Sequence, residues 1–150
     1  MDAPALEKLI NTVFEALKPE IASYRNSPED WNISDGNVAI CIITEEGKIY
    51  GKVYGENRLR QRNFFQIAWR KASQVWITGH KNGDYEKIVF GGEMDPEDSP
   101  IELPDLIGWV GGQPIQIDDE TVIAVGFSGF RGFNDINIVQ KAIQKAKHML

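Results

Sequence analysis

The strongest constraint on the fold is an unbroken apolar run in the first half of the chain. Residues 38–43 read Val-Ala-Ile-Cys-Ile-Ile, and Thr44 follows them. Alternate side chains of a strand point to opposite faces, so both faces of this segment are suited to burial. The run is far shorter than the roughly 20 residues that a membrane-spanning helix needs. It therefore predicts an interior strand of a sheet that is covered by helices on both sides.

Two β-hairpins are expected on either side of a long central segment. Each consists of two β-rich stretches joined by a short polar turn, 45–48 in the first and 118–120 in the second. A turn of this length brings its two strands together as antiparallel neighbours. The predicted strands are 38–44, 49–54, 113–117 and 121–127.

Apolar residues that recur at three- and four-residue steps predict three amphipathic helices. Asp2 is expected to cap the first helix, and Pro19 is expected to end or kink it. The second helix is predicted over 60–78, followed by Gly79, and Asn134 is expected to cap the third. The segments expected to be irregular are 26–30, 35–37 and 80–108, the last with a short strand at 87–90.

The order of these elements is helix, hairpin, helix, long loop, hairpin, helix. An antiparallel sheet flanked by helices, an α+β fold, accounts for this order better than a parallel, doubly wound sheet. The 150 residues suit one domain, 1–150, in which 1–35 form an N-terminal helix and loop.

Composition excludes several classes of function. The formal charge of −6 disfavours a nucleic-acid-binding protein, because contacts with phosphates require a basic surface. One cysteine, Cys41, cannot form an internal disulfide, and the N-terminus resembles no signal peptide. We therefore expect a cytoplasmic protein that is not inserted in a membrane.

Charge is nevertheless unevenly distributed along the chain. Residues 58–71 are rich in arginine, whereas 93–105 contain six acids and no base. These stretches are consistent with solvated surfaces, with a basic pocket rim and an acidic lid, or with two complementary subunit surfaces.

Three stretches together resemble the GlcG/HbpS-type "haem-degrading" domain family, which includes the carboxy-terminal domain of PduO-type proteins. The first is the apolar strand with the turn and strand that follow it, 38–49. The second is Ile-Ala-Trp-Arg-Lys-Ala at 67–72. The third and most specific is Gly-Gly-Gln-Pro-Ile at 111–115, followed by Gly-Phe-Ser-Gly at 126–129. The resemblance covers about 36–146.

This resemblance implies a profilin-like α/β/α sandwich that assembles as a homo-oligomer, a dimer or larger. Some members of the family bind haem, and many have no assigned activity. The family name is therefore weak evidence for a particular reaction.

A glycine-rich segment, 126–132, joins the last strand to the last helix. The free N–H groups at a helix N-terminus favour anions, so Ser128, Gly129 and Asn134 are candidate ligand-binding residues. Arg131 could add a bidentate contact to a carboxylate. The alternative is that these glycines only permit tight turns and close packing.

Lys71 falls on the apolar stripe of the second helix, where its ammonium group can reach inward to a carboxylate. Asp135 is the candidate partner. The two could form a structural ion pair, or they could act in acid/base catalysis with His80 as a further candidate. Backbone amides of Gly111 and Gly112, or those of Ser128 and Gly129, could then stabilise an oxyanion. Arg70 is the remaining candidate ligand-binding residue.

Haem requires an axial ligand, usually His, Cys, Met or Tyr. The candidates are few, since His80 and His148 are the only histidines, Cys41 is expected in the core and Met94 lies in the acidic stretch. No spacing of His, Cys and carboxylates indicates a structural metal site.

Three functions remain open from the sequence. The leading one is a protein that binds haem or a similar planar, carboxylate-bearing small molecule. The second is a cofactor-independent isomerase, cyclase or lyase that acts on a metabolite. The third is a non-catalytic oligomeric adaptor. The sequence identifies neither the ligand nor the pathway.

Overall fold

The computed structural model of the chain describes residues 1–94, 99, 108 and 110–150. Its elements in order are α1 (Ala3–Ser23), a 3-10 turn (Tyr24–Asn26), α2 (Pro28–Ser34), β1 (Val38–Thr44), β2 (Ile49–Tyr54), α3 (Arg58–Thr78), α4 (Asn82–Phe90), β3 (Gly112–Gln116), β4 (Val122–Ser128) and α5 (Gly132–Met149). The predicted α+β class is confirmed.

The four strands form one antiparallel sheet in the order β2-β1-β4-β3. β1 is an interior strand, and all seven of its residues are buried. Within it, Ile42 pairs with Tyr50 of β2 on one side and with Val125 of β4 on the other. The position predicted for the apolar run is thus confirmed.

The sheet is covered by helices on both faces, which makes the fold an α/β/α sandwich. Alternate residues of β1, beginning with Val38, pack with α1 and α5. The other set, beginning with Ala39, packs against Ala68 and Ala72 of α3. Gly126 of β4 permits the close approach of α3, since a Cβ there would lie 2.2 Å from the Ala68 carbonyl oxygen.

Two features of α1 test the predicted helix ends. Asp2 is the N-cap, and its carboxylate accepts a hydrogen bond of 2.8 Å from the Ala5 N–H. Of the two alternatives for Pro19, the one in which it ends the helix is wrong, because α1 continues to Ser23, and the kink stays a prediction. Pro19 is exposed, whereas Leu17 and Ile21 on either side of it are buried. Burial of this apolar stripe outweighs the loss of one backbone hydrogen bond.

The prediction of an irregular segment over 26–30 is partly wrong, because α2 begins at Pro28. Proline suits the first helical position, and the Ser27 hydroxyl donates a 2.6 Å hydrogen bond to Asp30. The break expected at 35–37 is present, since Asp35 and Gly36 both have positive φ.

The strand predicted at 87–90 is also wrong, since these residues belong to α4. Tyr85 and Val89 lie one helical turn apart and are buried in the same small cluster. The rest of the predicted loop falls largely on 95–98 and 100–107, which lie outside the described residues.

α3 ends as expected at Gly79, whose φ is +73°, although it begins two residues earlier than predicted, after an Asn57 cap. The expected role of Asn134 as a helix cap is wrong. α5 begins at Gly132, so Asn134 lies inside its first turn.

Candidate functional site

Lys71 and Asp135 form a buried pair between α3 and the first turn of α5. The Lys71 ammonium nitrogen lies 3.3 Å from Asp135 Oδ2, and it donates a 2.8 Å hydrogen bond to the Phe127 carbonyl oxygen. The two residues are only 3% and 2% exposed. The contact that the sequence suggested is therefore present, in a region with little access to water.

Burial moves the pKa values of the two groups toward each other. Desolvation lowers the pKa of Lys71, although the Asp135 carboxylate opposes this. Desolvation also raises the pKa of Asp135 to about 8, against the opposing effects of Lys71 and of the Phe130 N–H, which donates a 2.9 Å hydrogen bond to Oδ1. The pair can therefore gain or lose a proton near neutral pH.

Glycine is required where β3 approaches this pair. Gly111 has a φ of +121°, and a Cβ there would lie 2.6 Å from Lys71 Nζ and 2.7 Å from the Phe127 carbonyl oxygen. A side chain at this position would displace the ammonium group. The expected site residue Gly111 is thus positioned at the pair, as a packing contact.

Asn82, which the sequence analysis did not single out, is fully buried beside the pair at the start of α4. Its side-chain nitrogen donates a 3.3 Å hydrogen bond to the Lys71 carbonyl oxygen. Among the described residues, its side-chain oxygen has no hydrogen-bond partner. A Cβ on Gly112 would lie 1.8 Å from that oxygen, so the side chain is in close contact with β3. Asn82 thus links the start of α4 to the backbone of α3 and to β3.

The anion site expected at the N-terminus of α5 is filled by the protein's own carboxylates. The Phe130 N–H donates to Asp135, and the Arg131 N–H donates to Asp30 at 2.8 Å. The Asn134 side chain donates to Asp30 at 2.7 Å. These groups are directed at Asp30 and Asp135 rather than at a pocket.

Asp30 is the centre of a second buried cluster. The Arg131 guanidinium donates to it through Nε and Nη2, both at 3.2 Å, and also contacts Glu29. Burial alone would raise the pKa of Asp30, but hydrogen bonds from Arg131, Ser27 and Asn134 outweigh burial and hold it at about 2. Asp30 was not among the residues predicted from the sequence. Its signal was the Ser-Pro-Glu-Asp sequence at 27–30, which is typical of a capped helix start.

The remaining predicted residues are distributed around these clusters. Ser128 ends β4, where it is buried and paired with Ala39, and Gly129 packs on Val38. Arg70 is half-buried on α3. His80 follows α3 and is exposed, with its ring stacked on Tyr85 at 6.1 Å. The structure therefore does not bring the ten predicted residues into one pocket.

A large open groove lies at the opposite end of α3 from His80. It has a volume of about 1050 Å³ and lies between the end of α1, the end of α2 and the loop from β2 to α3. The half-buried Trp31 contributes an aromatic surface, and the Arg25 guanidinium lies 5.6 Å from the centre of its ring. The Asn37 side-chain oxygen fixes the loop by accepting hydrogen bonds of 3.1 and 2.9 Å from the Glu56 and Asn57 N–H groups.

The groove carries more positive than negative side chains. Lys18, Arg25 and Arg58 line it together with Asp35 and Glu56, which contrasts with the charge of −6 of the whole chain. Within the described ranges, no carboxylate forms an ion pair with Arg25 or Arg58. Two guanidinium groups are therefore available to an anionic ligand here.

The residues of the groove do not fit haem bound through an axial ligand. No His, Cys or Met is among the described residues that line it, and its Tyr54 hydroxyl donates a 2.7 Å hydrogen bond to the Phe14 carbonyl. Burial raises the pKa of Cys41 to about 12, which disfavours the thiolate. His80 lies beyond the far end of α3, roughly 30 Å away for a helix of 21 residues.

Two further classes of site are not indicated. In the part of the chain that the structure describes, no three His, Cys, Asp or Glu side chains are grouped so that they could hold a metal ion. Every helix within those same residues is too short or too polar to cross a membrane.

Solved structures share this fold. Klebsiella pneumoniae protein ORFY, of family DUF336, matches with a TM-score of 0.67 and 16% identity over 93% of this chain and 88% of that one. A PduOC:haem complex matches with a TM-score of 0.59 and 16% identity, over 96% of this chain and 93% of that one. A double mutant of Streptomyces reticuli HbpS matches with a TM-score of 0.54 and 15% identity, over 87% of this chain and 84% of that one.

These likenesses confirm the fold that the sequence resemblance implied, since PduOC and HbpS belong to the group it named. No protein-family model matches the sequence, and no curated protein matches it either.

Proposed function

We propose that the chain is a small-molecule-binding protein of the GlcG/HbpS-type family, and that its ligand is planar and carries carboxylates. The observation that carries this proposal is the groove in which Arg25 lies over Trp31 and Arg58 provides a second cation. We therefore assign the ligand site to this groove and not to the predicted residues around Arg131.

The chemistry of the groove matches such a ligand. A flat ring can stack on the exposed part of Trp31, and two carboxylates can pair with Arg25 and Arg58. Lys18 supplies a weaker contact, because it already pairs with Glu15 at 2.9 Å. The groove is open, so we expect moderate affinity.

A tetrapyrrole is a suitable first ligand to test, because one structural neighbour is a haem complex. The groove has aromatic and cationic walls but no free axial ligand among its described residues. Binding is therefore expected to depend on the ring and its propionates and not on the iron.

The test is to titrate the protein in parallel with hemin and with metal-free protoporphyrin IX, following tryptophan fluorescence and absorption. We expect similar affinities for the two. Arg25→Gln and Arg58→Gln should each weaken binding about tenfold, the effect of losing roughly 1.4 kcal/mol. Lys141→Gln, on the exposed face of α5, is the matched control.

Two results would contradict the proposal. One is affinity that is unchanged by both arginine substitutions. The other is binding of hemin alone, with a Soret shift that His80→Ala or His148→Ala abolishes. The second result would favour a haem protein whose site lies at an exposed histidine.

The Lys71–Asp135 pair supports a second candidate function, cofactor-independent proton transfer in an isomerase, cyclase or lyase. A carboxyl group with a pKa near 8 can donate and accept a proton at neutral pH. His80 is exposed and distant from the pair, so it does not contribute in this arrangement.

This second function is tested by incubating a panel of 2-oxo acids with the protein in D2O. Loss of the C3 protons, which lie next to the keto group, is followed by NMR. Enzyme-dependent exchange that disappears in both Lys71→Met and Asp135→Asn would support it. Exchange that survives in both variants, or that the unaltered protein does not catalyse, would count against it.

A further inference from the structure

α3 exposes three large apolar side chains on the side that faces away from the sheet. Its inner face is buried through Ala68, Ala72 and Val75. On its outer side, Leu59 is 66% exposed, Trp69 40% and Trp76 46%. Large apolar groups aligned in this way on a surface helix are typical of an interaction surface.

The exposed stripe has the spacing of a helix-pairing seam. Its residues recur at alternating steps of three and four, so they lie along one line of the helix surface. The seam consists of Leu59, Arg62, Gln66, Trp69, Ser73 and Trp76. It differs from the inner face, on which small residues allow α3 to lie close to the sheet.

The seam is complementary to itself in the antiparallel direction. Its midpoint falls between Gln66 and Trp69, so a second copy related by a twofold axis there places Leu59 opposite Trp76 at both ends. A shallow groove of about 510 Å³ lies at this midpoint and is lined in part by Gln66, Ile67 and Trp69. It provides space for an aromatic side chain of the second copy.

Charge also favours the antiparallel arrangement. Arg58 and Arg62 lie at the start of α3. Glu46 lies in the turn between β1 and β2, next to Gly47. This turn is close to the far end of the seam, since a Cβ added to Gly47 would lie 3.4 Å from the Trp76 ring. An antiparallel second copy brings the basic end of one helix to the acidic turn of the other, twice per dimer.

We propose that a second copy of this chain docks on the outer seam of α3, with the two helices antiparallel around a twofold axis near Trp69. This inference assigns the surface and the geometry of self-association. It does not require a ligand in the groove or the Lys71–Asp135 pair, although Arg58 belongs both to the groove and to the basic end of the seam.

Charge exchange tests the geometry. The unaltered protein at tens of micromolar should sediment as a dimer, or as a larger assembly with an even number of copies. Arg62→Glu and Glu46→Arg should each weaken association at least tenfold, because each places like charges opposite each other at both contacts. An equimolar mixture of the two variants should restore association, since both contacts then join opposite charges.

Asp119→Arg, in the turn between β3 and β4, is the control for a reversed charge outside the seam, and thermal unfolding verifies that all variants are folded. A monomeric unaltered protein would overturn the proposal. So would single variants that associate as tightly as the unaltered protein, or a mixture that stays dissociated. A mixture without rescue would indicate that the copies meet through another surface.

Discussion

Asp30 and Asp135 are two buried carboxyl groups beside the first turn of α5, and their pKa values are shifted in opposite directions. Asp30 is 0% exposed and Asp135 is 2% exposed. The pKa of Asp30 is held at about 2, whereas that of Asp135 is raised to about 8. Neither side chain is exposed to solvent, but Asp135 lies deeper in the protein, so desolvation raises its pKa more strongly.

The two carboxyl groups also differ in the number and kind of their hydrogen-bond donors. Asp30 accepts hydrogen bonds from the backbone and guanidinium of Arg131, from Ser27 and from Asn134. Asp135 accepts one from the Phe130 N–H and a longer one from Lys71, whose own charge is disfavoured by burial. The first arrangement joins α2 to α5, while the second leaves a proton that can be exchanged.

The largest effect is expected from Asp30→Ala. It leaves the donors of Arg131, Ser27 and Asn134 without their shared acceptor, and we expect a loss of about 3 kcal/mol in the free energy of unfolding, measured in urea. Glu29→Ala is the control, because Glu29 also contacts Arg131 but is exposed. Equal losses in the two variants would show that the buried carboxylate has no special role.

Lys71 and Asp135 should be strongly coupled, but the pair should contribute less to the free energy of unfolding than Asp30 does. Lys71→Met and Asp135→Asn should each lose about 2 kcal/mol, since each leaves one buried polar group without its partner. The double variant should recover to within about 1 kcal/mol of the unaltered protein. Simple addition of the two losses would mean that the groups do not interact in solution.

The two carboxyl groups should also give opposite dependences of stability on pH. Asp30 has a folded pKa below its ordinary value of 3.8, so its contribution is present above that pH and lost as the pH falls through about 2. Asp135 has a folded pKa above 3.8, so its contribution is present below that pH and lost as the pH rises through about 8.

Urea midpoints measured from acid to mildly alkaline pH check these signs. Asp30→Asn should remove the rise in stability between about pH 2 and 4. Asp135→Asn should remove a decline between about pH 4 and 8. Since Lys71 has a lowered pKa, its loss of a proton adds an increase at higher pH. A decline that persists in Asp135→Asn would have to come from other groups.

The sandwich could be predicted from the sequence because its signals are local and repeated. The β1 run is apolar on both faces, and the two hairpins and three long helices each have the expected spacing. The errors at Pro19 and at 87–90 arose where tertiary burial decided the structure. Leu17 and Ile21 keep α1 helical, and Tyr85 with Val89 do the same for α4.

The sites were harder to predict because they depend on pairings between distant parts of the chain. Lys71 and Asp135 were paired from the apolar stripe and the family resemblance. Asp30 lies 101 positions from Arg131, and no local pattern in the sequence connects them. The groove likewise depends on how α1, α2 and α3 meet, so neither Arg25 nor Trp31 was selected.

The smallest effect should come from salt, which separates the exposed part of the Asp30 cluster from the buried parts. At about 1 M salt the screening length is roughly 3 Å, so the exposed contact between Arg131 and Glu29 should lose its contribution. The Lys71–Asp135 pair is shielded from ions, and its coupling energy from the double-mutant cycle should be the same at low and high salt. Glu29→Ala should therefore leave the free energy of unfolding unchanged at high salt, while Asp30→Ala remains destabilising. If salt reduces the Lys71–Asp135 coupling as much as the Glu29 effect, solvent reaches the pair, and the proton chemistry proposed for it would lose its physical basis.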